Sequence, residues 1–306
     1  MLTSLVPLRR DYDRFTVGVT AYESVNDFIS RGPNVGVSSI TYGEGSLDLF
    51  VEDRGSQTTV IVFHAALSRR VATYPVFSGL RMLADVPVNV VCVSDPSLRL
   101  GLSLAWFAGN ASQPLQNDLP AVLAHVLGAF EGARHNIFFG GSGGGFASLY
   151  YSRLFPSSLA LAVNPQTALE RYVPSAVTRY SEIAWGVSDI RNAPIRSDLA
   201  DHYTGSFTNT VGFIQNLQDG HHRKHQMLPW LRSFSTPSDN VHLLLDGWGK
   251  GHVVPPVQFL SSILKSLAGV DGEWVDALSP AGFQQAPGRH YPWQTFAEWT
   301  QRQKSE

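Results

Sequence analysis

Disulfides, a membrane span and a basic surface are all missing from this chain. With one cysteine, Cys92, among 306 residues, no intramolecular disulfide is possible. Cys92 lies in the apolar run Val90-Val91-Cys92-Val93, which predicts a packed thiol and not a reactive one. No uninterrupted apolar stretch approaches the roughly 20 residues of a membrane helix. The opening MLTSLVPLRRDYDRF has no basic start followed by a long apolar core, so no signal peptide is expected. Together these features predict a cytoplasmic protein with no membrane span. Lys and Arg number 23 against 25 Asp and Glu, a net charge of −2, which argues against a nucleic-acid partner. Repeats, low-complexity tracts and obvious linkers are absent too, and nothing in the composition speaks to oligomeric state.

What the chain does have is apolar material. Hydrophobic residues make up 43% of it, enough for a single domain over residues 1–306 with one large core. Residues 1–56 read as a strand-rich N-terminal extension, with strands at 15–19, 38–42 and 47–52. Buried strands follow at Thr58–Phe63, 88–93, 136–139, 160–163, 211–217 and 241–245. Amphipathic helices are expected over 76–83, after an Asn117 or Asp118 cap with Pro120 in the first turn, and after Pro255-Pro256 with a face beginning at Val257. Buried strands alternating with helices predict an α/β fold: a mostly parallel, doubly wound sheet with helices on both faces. The rhythm breaks over 168–208, which reads as a small helical cap insertion, and 270–306 as a tail packed on the body.

The stretch 136–154 is where the chemistry concentrates. Ile137-Phe138-Phe139 is a short buried strand, Gly140-Gly141-Ser142-Gly143-Gly144 reads as G-x-S-x-G, and from Phe146 the apolar residues recur at helical spacing until Pro156. A Walker A loop is ruled out because Phe146 and Ala147 follow Gly145 where Lys and Ser or Thr are required. A dinucleotide fingerprint started at Gly141 or Gly143 meets Phe146 or Ser148 where its last glycine belongs. Strand, glycine-flanked serine and helix in immediate succession form a nucleophile elbow, with glycines beside the serine to avoid collisions. The glycines after Ser142 also suggest a wall open enough for a bulky substrate.

A serine hydroxyl needs a base, usually a histidine oriented by a carboxylate. Around an elbow these partners follow at later strand ends in the order acid, then histidine. Asp219 and His252 satisfy that order; Asp246, at the end of the last strand, is the alternative acid. The oxyanion hole is expected from the backbone of Gly143 and of Ala65 or Ala66. Substrate contacts are expected from His64, Tyr180, Trp185, His221 and His222. His221 and His225 are spaced i, i+4 near Asp219, but Arg223 and Lys224 between them disfavour a cation, and no metal or cofactor is expected.

The elbow, Asp219 and Gly251-His252 resemble the α/β-hydrolase superfamily over roughly residues 58–269. That resemblance implies the α/β-hydrolase fold and a serine hydrolase acting on a carboxylic ester. His64-Ala65 stands where the usual His-Gly oxyanion motif would be. The segments GSGGGFASLYYSRLFP, NPQT and QNLQDGHHRKHQMLPW are similar to hydrolase-fold proteins of bacterial surface-glycan synthesis, some of them serine-dependent acyltransferases. This second resemblance implies an O-acyltransferase acting on a glycan hydroxyl as the alternative, with a small-molecule or glycan ester as partner. A non-catalytic binding protein on the same fold is a further alternative, disfavoured by the intact Ser, Asp and His.

Overall fold

Runs such as TTVIVF and NVVCVS carry no polar alternation, and in the computed structural model of the chain they are strands buried on both faces. The structure describes residues 8–68, 70–234 and 238–286. Its N-terminal part holds β1 (Arg9–Arg10), β2 (Val19–Tyr22), α1 (Val25–Arg31), β3 (Gly36–Tyr42), β4 (Gly45–Glu52), β5 (Thr58–Phe63) and β6 (Thr73–Tyr74). Then come β7 (Asn89–Ser94), α2 (Leu115–Gly128), β8 (His135–Gly141), α3 (Gly143–Ser152), β9 (Leu159–Val163), α4 (Pro174–Trp185) and α5 (Leu199–His202). The chain continues through β10 (Thr210–Asn216), α6 (Gly220–His222), α7 (Leu228–Leu231), β11 (Val241–Asp246), α8 (Val257–Ala268), α9 (Trp274–Leu278) and β12 (Gln284–Gln285).

Ten strands form one sheet in the order β12-β11-β10-β9-β8-β5-β7-β4-β3-β2. From β11 to β7 every neighbour pair is parallel, while β12 and β4 flank this block antiparallel. The sheet is therefore mixed, around a parallel centre. Side chains alternate across it. Val60 and Val62 pack with Leu260, Ile263 and Leu264 of α8 on one face. Ile61 and Phe63 pack with Leu119, Val122 and Leu123 of α2 on the other. That two-sided burial is the physical meaning of the unbroken apolar runs. None of the described helices is long and apolar enough to cross a membrane.

Several expected elements differ. No helix forms over 76–83. Gly79 takes φ 85°, outside the helical region, and its backbone lies so close to β5 that an added Cβ would sit 3.2 Å from Val62. The strand expected at 15–19 starts only at Val19. Helix α2 begins at Leu115, before the expected caps, because Asp118 instead accepts a 2.7 Å hydrogen bond from the Tyr42 hydroxyl; Pro120 falls inside the helix. Val257 starts α8 but faces solvent. Strands β2 to β4 continue the central sheet and are no appendage to it. Of the C-terminal segment, α9 and β12 are described, β12 pairing with β11; residues 287–306, with their Trp- and Pro-rich sequence, lie outside the described residues.

Between β8 and α3 a single residue, Ser142, turns the chain, and so α3 must start against the neighbouring strands. The closest approaches are not at the glycines flanking the serine. An added Cβ on Gly144 would sit 2.3 Å from the Phe63 carbonyl oxygen and 2.7 Å from that of His64. On Gly143 it would meet only the movable tip of Leu104, and on Gly141 nothing nearer than 3.6 Å. The glycine-rich turn thus closes onto β5 through Gly144. Gly144→Ala should therefore cost about 3 kcal/mol or more through backbone overpacking, whereas Gly141→Ala should stay within about 1 kcal/mol. Urea unfolding of the two variants checks this, and equal destabilisation would show that the contact with β5 is not the constraint.

Candidate active site

The carboxyl ends of the parallel strands converge on Ser142. Its backbone has φ 55° and ψ −116°, a conformation rare outside glycine, at a cost of about 1–3 kcal/mol that its surroundings must offset. They do so through the main chain. The Ser142 amide donates to the Val163 carbonyl at 2.9 Å, and its carbonyl accepts from the amides of Phe146 (3.1 Å) and Gln166 (3.2 Å). The side chain is buried, with Oγ accepting a 3.0 Å hydrogen bond from Gln166 Nε2.

Two strands away, the loop after β10 carries Asp219 and the loop after β11 carries His252. His252 Nδ1 lies 2.6 Å from Asp219 Oδ2. The other carboxylate oxygen, Oδ1, accepts the His222 amide at 3.1 Å. Burial works to raise the Asp219 carboxyl, but the His222 amide and the His252 ring outweigh it and hold the group below its ordinary range. Asp246 is exposed, and among the described residues its carboxylate accepts only its neighbour's amide, from Gly247 at 2.7 Å. Of the two acids considered, Asp219 is the one that reaches the histidine. The two loops are held together by Asn216, whose Nδ2 donates to the carbonyls of Gly249 and Gly251, each at 2.7 Å. Asn164 ties the His252 loop back to β9 by donating to the Val253 carbonyl at 2.9 Å.

The expected oxyanion donors flank the elbow. Ala65 and Ala66 are exposed on the loop after β5, which abuts the first turn of α3 through Gly144. Among the described residues the amides of Gly143, Ala65 and Ala66 donate no hydrogen bond. His221 is exposed, its ring edge-on to Tyr172 with centroids 6.3 Å apart.

Four of the residues expected to touch substrate are engaged within the protein. His64 is buried, its Nδ1 lying 2.9 Å from the Ala65 carbonyl and its Nε2 accepting the Asp95 amide at 3.2 Å, so both ring nitrogens are spent on backbone. Tyr180 is fully buried with its hydroxyl donated to the Gly109 carbonyl. The Trp185 indole is spent on that same Tyr180 hydroxyl at 3.0 Å. Tyr180 thus fastens α4 to the loop before α2, and Trp185 braces Tyr180 from within α4. His222 is buried behind His252, rings stacked with centroids 4.0 Å apart. Its Nδ1 lies 2.9 Å from Asp219 Oδ2, but out of line for a hydrogen bond, so neither ring nitrogen has a hydrogen-bond partner among the described residues. Burial and the neighbouring His252 keep the His222 pKa down, at about 4. Among the described residues, the group with converging metal-ligand atoms is Asp219, His222 and His252, within 4.8 Å of one another; His221 and His225, whose spacing was weighed above, are not in it.

Four residues at the site escaped the sequence reading: Gln166, Trp106, Phe107 and Asp95. Gln166, fully buried, holds Ser142 Oγ and is itself held by the Trp106 indole N–H. Trp106 and Phe107 both take positive φ, 56° and 54°. Asp95 fixes that turn by accepting the Phe107 amide at 2.7 Å and the Ser97 amide at 3.0 Å, while burial raises its carboxyl to about 6. The signal for them was a polar residue ending or following an apolar run: Asp95 after β7, and Gln166 in Asn-Pro-Gln after β9.

No protein-family model and no curated protein matches the sequence. Solved structures do match its fold. The capsule O-acetyltransferase of Neisseria meningitidis serogroup A is 14% identical at a TM-score of 0.52, covering 72% of this chain and 90% of that one. An esterase of Pyrococcus furiosus is 17% identical at 0.50, over 89% of this chain and 98% of its own. An acetyl xylan esterase from Paenibacillus sp. R4 is 15% identical at 0.50, over 78% and 90%. Together with the strand order and the elbow, these likenesses show that the chain has the α/β-hydrolase fold.

His64 gives a prediction about the platform under the elbow. His64→Leu leaves the Ala65 carbonyl and the Asp95 amide unpaired, a loss of about 1–3 kcal/mol. Burial holds the His64 ring near pKa 4 against an ordinary 6.5, so its contribution is complete above the ordinary value and drains away as pH falls toward 4. The stability gap between wild type and His64→Leu in urea melts should narrow between about pH 7.5 and about pH 4.5, by up to about 1.4 kcal/mol per pH unit. A gap that stays constant would uncouple this ring from folding.

Proposed function

We propose that the protein cleaves a carboxylic ester through an acyl-enzyme on Ser142. The observation that carries this reading is the 2.6 Å contact of His252 with Asp219, on strand-end loops beside a serine of positive φ. Asp219 fixes His252 with its Nδ1–H toward the carboxylate, leaving Nε2 to take the Ser142 proton. Ser142 Oγ then attacks the ester carbonyl. The negative oxygen that forms is received by the amides of Gly143 and of Ala65 or Ala66, which donate to no other partner among the described residues. Collapse expels the alcohol, protonated by His252. A second nucleophile, activated by the same histidine, then attacks the acyl carbon and returns Oγ to the serine.

If that nucleophile is water, the reaction is hydrolysis. If it is a sugar hydroxyl, the enzyme is an O-acyltransferase. The second reading is favoured by the similarity of the elbow, NPQT and histidine-loop segments to proteins of bacterial surface-glycan synthesis, and by the structural likeness to a capsule O-acetyltransferase. A purely binding role leaves the strained serine and the Asp219–His252 contact without a purpose.

Fluorophosphonate labelling should modify wild type, fail with Ser142→Ala and fall sharply with His252→Ala. No labelling of folded wild type would sink the reading. Asp219→Ala should lower kcat for p-nitrophenyl acetate by about a thousandfold or more, and Asp246→Ala by no more than a few-fold; the reverse order would reassign the acid. Labelling with very slow turnover of short esters, relieved by adding a sugar acceptor, would favour transfer over hydrolysis.

A further inference from the structure

Among the described residues the side chain that meets Ser142 Oγ is Gln166. Gln166 Nε2 donates to Oγ at 3.0 Å, and the Gln166 amide N–H grips the Ser142 carbonyl at 3.2 Å, so one residue clamps the serine by both main chain and side chain. The orientation of the Gln166 carboxamide follows from chemistry. An indole N–H is a donor only, and Trp106 Nε1 meets one end of the carboxamide, so that end is Oε1 and the NH₂ faces Oγ. Trp106 is locked by the positive-φ turn that Asp95 holds. Gln166 is 0% exposed, so no water competes for that N–H.

We propose that Gln166 is a further catalytic residue, one that stabilises Ser142 Oγ as the leaving group when the acyl-enzyme breaks down. The inference rests on the acyl-enzyme reading above. The N–H does not act equally in the two half-reactions. In acylation the O–H proton passes to His252, and the charge this leaves on Oγ is drawn into the new bond to the acyl carbon. Oγ already accepts the Gln166 N–H as a hydroxyl, so that bond is kept from ground state to transition state and loses strength only in the acyl-enzyme, whose ester oxygen is a poorer acceptor. In deacylation water or an acceptor hydroxyl loses its proton to His252 and adds to the acyl carbon. The Oγ–C bond then breaks with its electron pair going to Oγ, which gains charge against the Gln166 N–H until His252 returns the proton. A donor that strengthens only at that point accelerates only that step. The argument is the same for both acceptors, so Gln166 serves hydrolysis and transfer alike.

The test is stopped-flow p-nitrophenol release from p-nitrophenyl acetate, with intact-mass detection of acetylated enzyme. Gln166→Leu removes the donor. Gln166→Glu keeps the shape and the oxygen that accepts from Trp106 but turns an acceptor toward Oγ, and it decides the question if the leucine variant does not fold. Both should release a burst approaching one equivalent, accumulate acetylated Ser142, and lose kcat by about ten- to a hundredfold. KM should fall in the same proportion, leaving kcat/KM and the rate of fluorophosphonate labelling near wild type. A loss of kcat/KM without a burst, or no change at all, overturns the proposal and leaves Gln166 a structural tie. Failure of the underlying reading would look different: wild type itself would show neither acetylated Ser142 nor labelling.

Discussion

The first turn of α3 approaches the end of β5 so closely that a single methyl at Gly144 would strike the carbonyls of Phe63 and His64. Everything else at the site is measured from that contact. It forces the chain to reverse within one residue, which puts Ser142 in its positive-φ conformation. It also brings the loop carrying Ala65 and Ala66 beside the amide of Gly143. The strain at the serine is offset where the neighbouring strands supply main-chain partners, Val163 on β9 and the Gln166 amide beyond it.

Around that contact, polar side chains at strand ends do the work that regular structure cannot. A strand end leaves backbone groups without partners, and buried groups of that kind must be paired. Asn216 pairs two carbonyls of the His252 loop and, through Oδ1, the amides of Gln218 and Trp248, each at 3.2 Å. Asn164, at φ 43°, accepts the Asn216 amide at 2.7 Å. His64 and Asp95 do the same beneath the elbow. Asn216 and Asn164 thereby hold the loops on which Asp219 and His252 stand.

This division explains what the sequence revealed. Runs such as Val60 to Phe63 and Val90 to Val93 announced buried parallel strands, because a strand covered on both faces has no polar alternation to confuse it. The elbow was legible because its strand, serine and helix are contiguous. Asp219 and His252 were placed by strand order alone, and their separation closes to hydrogen-bonding distance in three dimensions. Illegible were the features set by packing between distant segments. Residues 76–83 have helical periodicity, yet Gly79 is held against Val62 and the turn never propagates. Tyr180 and Trp185 looked like pocket aromatics because composition cannot tell a side chain facing a cleft from one facing a loop 70 residues earlier. Gln166 showed only as one letter of a short polar motif, since its partner, Trp106, sits 60 positions away.

His222 shows how burial shapes the site without adding a charge to it. One carboxylate oxygen of Asp219 faces two imidazoles, at 2.6 Å and 2.9 Å, and the rings are stacked. Were both rings protonated, two cations would lie face to face with a single anion between them. Burial prevents this by keeping His222 neutral at any pH well above 4, so only His252 is left to carry a proton. A neutral ring on one face of His252 excludes water from that side and restricts its tilt, while the side chain keeps 38% of its surface open. In the proposed reaction His252 must become cationic twice in each cycle. The stack is compatible with that demand because the inner histidine pays no charge into it, and Asp219 is left as the partner that the transient imidazolium meets.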